Sequence, residues 1–202
     1  MSAEQGSAEW LFERLGHATA SRFNDIIAKS AKGQPLAGRE TYLWELVIER
    51  LTQQPSDHWT SSAMMWGSEQ EQFARMTYEA QTGAMVEEVG FERHKSIALC
   101  GGSPDGLLGE DGMIEIKCPF NSTNHLLTIL NGMPDEHQAQ TQGLLWILNR
   151  EYCDFISFDP RMPEHRRLYV QRINRADDFI AMLEAEVRVF LNDVQARLEQ
   201  LA

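Results

Sequence analysis

Basic residues are scarce in this chain. Lysine and arginine number 18 against 30 aspartates and glutamates in 202 residues, a formal net charge of −12. That balance excludes a surface that grips nucleic acid everywhere, so any such contact must be local. Cysteine is also rare. Cys100, Cys118 and Cys153 lie far apart, are odd in number and form no CxxC pair. This excludes a disulfide framework and a zinc or iron–sulfur cluster, and leaves free thiols. No apolar run is long enough to cross a bilayer. The start, MSAEQGSAEW, lacks the basic opening and apolar middle of a signal peptide, so a cytoplasmic location is expected. Internal repeats, low-complexity tracts and linkers are absent too.

What remains is a globular composition, 43% hydrophobic and 24% charged, with the length for one full core. Residues 1–202 read as a single domain. The few cations cluster. RMPEHRRLYVQRINR (161–175) carries five arginines and one glutamate, and AKSAKGQPLAGRE (28–40) carries Lys29, Lys32 and Arg39. Thr19 and Ser21 are candidate N-caps for a short helix with Phe23, Ile26 and Ile27 inward. Helical spacing of Leu43, Leu46, Val47 and Leu51 predicts a helix over 40–53. A polar loop is expected over 54–62. A third helix is expected over 66–82, with Phe73, Met76 and Ala80 on its inner side and Gly83 as its stop. Strands are expected at 86–92, 96–100, 113–118, 152–158 and 167–173, and helices at 122–131 and 135–149. A last helix over 176–200 presents Phe179, Met182, Leu183, Val187, Phe190, Leu191 and Val194 as one stripe. This order implies an α/β fold, a mixed sheet flanked by helices.

One stretch concentrates chemistry: GGSPDGLLGEDGMIEIKCPF, residues 101–120. Ser103-Pro104-Asp105-Gly106 and Gly109-Glu110-Asp111-Gly112 are both turn sequences. Across MIEIK, side chains alternate. Met113, Glu115 and Lys117 share one face, and Ile114 and Ile116 share the other. The strands around the second turn should be antiparallel, which returns Asp105 to the neighbourhood of Glu115. Two carboxylates beside an ammonium suit a hard divalent cation, Mg²⁺ or Mn²⁺, and water activation for phosphodiester hydrolysis. On spacing alone the same residues also read as a solvated pair on a hairpin. An acidic residue of the preceding helix, Glu69, Glu71 or Glu79, would favour the metal reading.

SPDG followed by IEIKCPF resembles the PD-(D/E)XK nucleases, and in particular the lambda exonuclease branch, the YqaJ-like viral recombinases. RLGHATAS (14–21), WGSEQEQFAR (66–75), AQTQGLLW (139–146) and FDPRM (158–162) resemble further motifs of that branch, in its order. The resemblance implies a PD-(D/E)XK nuclease-like sheet. It implies Asp105, Glu115 and the carbonyl of Ile116 as Mg²⁺ ligands, and Lys117 as the catalytic lysine. Glu71 would hold a second metal or its water, and Gln140 would stand beside the site. Arg14 and Ser21 would bind a 5′-phosphate, and Met64 would be a strand-separating wedge. Where this branch tends to carry a basic residue in the loop after the first short helix, the present chain has Ala31, with Lys29 and Lys32 close by. His17, His94, His125 and His137 have no ligand spacing and are expected at the surface or satisfied.

The implied activity is Mg²⁺-dependent 5′→3′ exonuclease digestion of double-stranded DNA ends, leaving 3′ single strands for recombination. The implied partners are a single-strand annealing protein and two further copies in a homotrimer, in a phage or prophage setting within a bacterial cytoplasm. Two other readings stand beside it: a structure-specific endonuclease of the same superfamily, and a non-catalytic protein that binds DNA ends.

Overall fold

The computed structural model describes residues 3–56 and 61–202. Part of the polar loop expected over 54–62, residues 57–60, lies outside them. In chain order the elements are α1 (Ala8–Arg14), β1 (Ala18–Thr19), a 3-10 turn (Ala20–Arg22), α2 (Phe23–Ile27), α3 (Ala37–Thr52) and α4 (Ser62–Thr82). Then come β2 (Glu92–Arg93), β3 (Cys100–Gly102), β4 (Gly106–Leu108), β5 (Gly112–Lys117) and α5 (Ser122–Asn131). After a 3-10 turn (Asp135–His137) follow α6 (Gln138–Leu148), β6 (Tyr152–Phe158), β7 (Leu168–Asn174) and α7 (Asp177–Leu201).

The strands form a mixed four-stranded sheet, β4-β5-β6-β7, and a three-stranded sheet, β1-β3-β2. β5 pairs antiparallel with β4 and parallel with β6. A parallel neighbour requires a crossover, and α5 and α6 provide it. The alternation on β5 separates two cores. Met113 joins the cluster built with α2, α3, α6 and α7, while Ile114 and Ile116 join Ala74 and Tyr78 of α4. Each such fully buried side chain contributes about 1.5–3 kcal/mol by leaving water.

α4 sits on the sheet by a different face from the one expected. Ala74 and Tyr78 are buried, whereas Phe73 and Met76 are 48% and 64% exposed and Ala80 is exposed as well. Ala74 and Tyr78 are four residues apart and therefore share a face, while Met76 points the other way. The Tyr78 hydroxyl donates to Asp154 at 2.7 Å, and Arg172 grips the two oxygens of Asp154 at 2.8 and 2.9 Å. Small departures of the same kind leave Leu51 and Met182 exposed on α3 and α7. On α7 the buried line is Ile180, Leu183, Val187, Phe190 and Val194.

Little of the strand pairing expected over 86–100 forms. β2 covers two residues, and Glu87 bridges Leu107 alone. Leu99 takes a positive φ of 58°, so the chain turns there and pairs only from Cys100. At Gly101 a Cβ would stand 2.4 Å from the Phe91 ring, and at Gly102 it would stand 2.7 Å from Leu144. These two positions accept no side chain, which lets the small sheet close on the core.

The basic tracts are largely neutralised within the fold. Lys29 pairs with Glu186 at 2.6 Å and Arg39 with Asp193 at 2.7 Å, both partners on α7. They fasten the 29–38 loop to the body. Arg161, Arg172 and Arg175 pair with Asp159, Asp154 and Asp177. Among the described residues no helix is long and apolar enough to cross a membrane.

Candidate active site

One cleft of about 970 Å³ is lined by all nine residues singled out from the sequence. α1 supplies Arg14, and the 3-10 turn after β1 supplies Ser21. α4 supplies Met64 and Glu71, the loop before β4 Asp105, β5 Glu115, Ile116 and Lys117, and α6 Gln140. Of the three glutamates considered on α4, Glu69 is exposed and Glu79 accepts the Val86 N–H at 2.9 Å, which leaves Glu71 in the cleft.

At the cleft floor Glu115 is 1% exposed. Its Oε1 accepts the Lys117 ammonium at 2.7 Å and the Gln140 amide at 2.6 Å. Lys117 also donates to the Gln140 carbonyl at 3.1 Å, so the three close a triangle. Asp105 comes back beside them as the hairpin requires, its Oδ2 accepting the Ile116 N–H at 2.6 Å. Burial pushes the Asp105 carboxyl well above the usual carboxylate range, and the nearby Glu115 and Glu71 push the same way. Burial raises Glu71 too, against Arg75, whose guanidinium lies 3.1 Å away. Burial alone would lower Lys117, but Glu115 and Asp105 outweigh it and hold the ammonium above its ordinary value.

Three acids thus crowd around one lysine. Glu115 Oε2 is shielded from solvent and has no partner among the described residues. A buried anionic oxygen without a donor is costly. Crowded carboxylates with one orphaned oxygen form a donor set suited to a hard divalent cation such as Mg²⁺ or Mn²⁺, which takes oxygen ligands and completes its shell with water or phosphate. No trio of His, Cys, Asp or Glu among the described residues makes a ready-made metal cage. Asp105, Glu115 and a backbone carbonyl could hold such an ion only with outside oxygens.

The same cleft has a cationic corner. Arg14 packs over the Trp10 ring at 4.1 Å and points Nη2 at the Ser21 hydroxyl, 3.5 Å away. No carboxylate among the described residues pairs with it, and burial lowers it from its ordinary value. Ser21 does not cap a helix. It lies inside the 3-10 turn, neither it nor Thr19 makes a capping bond, and Arg22 holds the N-cap position of α2. Its hydroxyl, not a helix terminus, is what it offers an anion. Met64 is 54% exposed in the first turn of α4, at the cleft margin.

Other cleft residues escaped sequence reasoning. The Trp10 indole donates to Ser103 at 2.9 Å, and the Gln5 amide donates to the Val89 and Pro104 carbonyls at 3.1 and 2.8 Å. α1 buries none of its residues, so these bonds fix it. His137 also lines the cleft, its ring stacked on Phe155; burial, then Lys117, pulls it down to about 4. Its place three residues before Gln140 on one helical face was the available signal. The three other histidines considered from the sequence are satisfied. His17 donates to the Leu15 carbonyl, His94 accepts the Ser96 and Ile97 N–H groups, and buried His125 bridges Ser157 and the Arg166 carbonyl.

The model of the YqaJ-like viral recombinase domain matches residues 9–151. This chain belongs to that family. The YqaJ-like domain model spans every cleft residue named above except Gln5 and Phe155. The alkaline exonuclease LHK-Exo of Laribacter hongkongensis is 41% identical over 96% of both chains, with a TM-score of 0.89. The same enzyme solved with dAMP superposes equally well. A phage-related exonuclease from Haemophilus somnus 129PT, 15% identical over 92% of this chain and 96% of its own, shares the fold with a TM-score of 0.71. Among curated proteins no sequence matches this chain.

Proposed function

We propose that this YqaJ-like protein is a metal-dependent exonuclease that digests one strand of double-stranded DNA from its 5′ end. The observation that carries the reading is the convergence of Asp105, Glu71, Glu115, Lys117 and Gln140 on one cleft that also holds Arg14 and Ser21. The likeness to an alkaline exonuclease, which has also been solved with dAMP, supports the same chemistry and a mononucleotide-sized product.

Bound Mg²⁺, or Mn²⁺ in its place, would supply a water of lowered pKa and positive charge for the scissile phosphate. The chain's own residues do the rest. Gln140 and Lys117 occupy Glu115 Oε1 and leave Oε2 for the cation. Lys117 spends one hydrogen bond on Glu115 and one on Gln140, so its third N–H can orient the attacking water and stabilise hydroxide. Arg14 and Ser21 receive the terminal 5′-phosphate, the arginine through charge-assisted hydrogen bonds. Anchoring the 5′ end at the cleft gives 5′→3′ polarity. Met64 wedges the strands apart, and the product is a 3′ single strand suited to a single-strand annealing protein in recombination, in a phage or prophage setting within the bacterial cytoplasm.

A homotrimer around the duplex fits an acidic chain, of net charge −12, whose cleft holds Arg14 without a carboxylate partner among the described residues. It would also cover apolar side chains such as Phe73 and Met76, and light scattering should give about three times the 23.1 kDa chain. The deciding experiment is digestion of linear duplex DNA labelled separately at each end. Release of 5′-terminal mononucleotides in Mg²⁺, none in EDTA, and intact closed circular DNA are expected. Cutting of closed circles would assign the site to a structure-specific endonuclease. Binding to ends without release would leave a non-catalytic end-binding protein.

A further inference from the structure

Asp159, just past β6, is fully buried. Its two oxygens take the Arg161 guanidinium in a fork, Nε to Oδ1 and Nη2 to Oδ2, both at 2.8 Å. Two of the guanidinium's three remaining N–H groups are used as well. Nη1 donates to the Phe120 carbonyl at 3.0 Å and Nη2 to the Pro119 carbonyl at 3.1 Å. Those carbonyls belong to the exit of β5, two and three residues beyond Lys117. The guanidinium carbon lies 4.5 Å from the centre of the Trp66 ring, within cation–π range. Trp66 in turn meets the Phe120 ring edge to face at 6.4 Å.

Trp66 stands on the half of α4 that carries Met64 and Glu71. From Ser62 to Phe73 that half contains no buried residue; the hold on the sheet begins at Ala74. The Trp66 indole N–H has no hydrogen-bond partner among the described residues, so its contacts with Arg161 and Phe120 run through the ring. One cation therefore ties the free half of α4 to the end of the strand bearing Glu115 and Lys117.

We propose that Arg161 is a positioning residue that holds the Met64-bearing half of α4 against the exit of β5. Its effect on cleavage rests on the nuclease reading above; the coupling between Arg161 and α4 does not. Arginine is required because a lysine can pair with Asp159 but cannot also fork to two carbonyls and lie flat on an indole.

Hydrogen–deuterium exchange on the full chain tests the coupling. Arg161→Ala should speed exchange of amides 64–73 about tenfold while 74–82 keep their protection, because a segment opens more often once the ring and guanidinium that hold it are gone. Since that variant strands the buried Asp159, Trp66→Ala, which keeps the Asp159–Arg161 fork, is the second variant and should show the same pattern. Arg161→Lys should not rescue it. In cleavage, a misplaced wedge should slow digestion of blunt duplex ends about tenfold or more. Ends whose 5′ nucleotides are already unpaired should lose far less. A loss of folded protein would lower both substrates alike. Unchanged exchange at 64–73 in both variants overturns the proposal. So does an equal loss on blunt and unpaired ends once rates are scaled to folded protein. If the wild-type chain digests no DNA, the nuclease reading fails and the exchange result still decides the coupling.

Discussion

Asp105→Asn should make the metal-free protein more stable and the Mg²⁺-bound protein comparatively less so. In the cleft floor Asp105 is pushed well above the carboxylate range, by burial first and then by Glu115 and Glu71. Asparagine keeps the shape and an oxygen to accept the Ile116 N–H, now at 2.6 Å from Asp105, and at pH above the raised carboxyl value it removes one charge from the cluster. Relief of this kind at a functional site is worth about 1–2 kcal/mol. At roughly 2–4 °C per kcal/mol for a chain of this size, the variant should melt about 2–8 °C higher in EDTA. The pH dependence has a definite sign. Because the folded-state value is raised, the native protein holds this proton more tightly than the unfolded chain does. The stabilisation is full below the ordinary carboxylate value and is lost as pH rises through the raised one. Wild type in EDTA should therefore lose stability with rising pH more steeply than Asp105→Asn. Mg²⁺ at a hundred times its dissociation constant adds about 2.7 kcal/mol to a protein that binds it only when folded. Wild type should gain that and the variant little, so the order of melting temperatures reverses between EDTA and saturating Mg²⁺. Thermal melts followed by circular dichroism in the two buffers measure it. A variant that melts below wild type in EDTA, or gains equally from Mg²⁺, refutes the reasoning.

Lys117→Ala should lower the single-turnover cleavage rate by about 10²–10⁴-fold, with end binding in a paired equilibrium assay little changed. Near-normal cleavage would return Glu115 and Lys117 to a structural ion pair. Arg14→Ala should remove the preference for 5′-phosphorylated over 5′-hydroxyl ends, raising KM for the former roughly 10- to 150-fold through loss of about 1.5–3 kcal/mol of charge-assisted hydrogen bonding. Ser21→Ala should do the same more mildly. Equal digestion of both ends by wild type would remove the assignment. Tyr78→Phe should cost about 1–2 kcal/mol in urea unfolding by removing one of the donors to buried Asp154. No change in midpoint would mean that Arg172 alone satisfies that carboxylate.

Strand β5 was legible because its pattern and its environment agree. Glu115 and Lys117 alternate with Ile114 and Ile116, and the two faces do meet different partners. The turns around Asp105 were equally legible, since Pro104 and Gly106 fix the hairpin locally. The inner face of α4 was not. Phe73 and Met76 are more apolar than Ala74 and Tyr78, and only the sheet's position decides which pair turns inward. α1 passed unnoticed because it buries nothing, and with it Trp10. Arg14 was legible only through resemblance. The ion pairing of the basic loop was not legible because the acids that meet Lys29 and Arg39 stand 157 and 154 residues away in sequence. Long-range pairing of that kind leaves no trace in local composition.

The parallel pairing of β5 with β6 sets a timetable for the protein's manufacture. Glu115 lies opposite Phe155 across the ladder, and α7, whose buried line completes the larger core, ends at Leu201. A chain leaving the ribosome shows Asp105, Glu115 and Lys117 well before their strand has its neighbour or its cover. Non-local pairings form late, after the loop between them has closed. Until then the acids are ordinary solvated side chains on a hairpin, neither crowded nor desolvated, and have no reason to trap a cation. On the nuclease function proposed above, an unfinished copy would carry Asp105, Glu115 and Lys117 without their assembled geometry, and cutting would wait until α7 has docked.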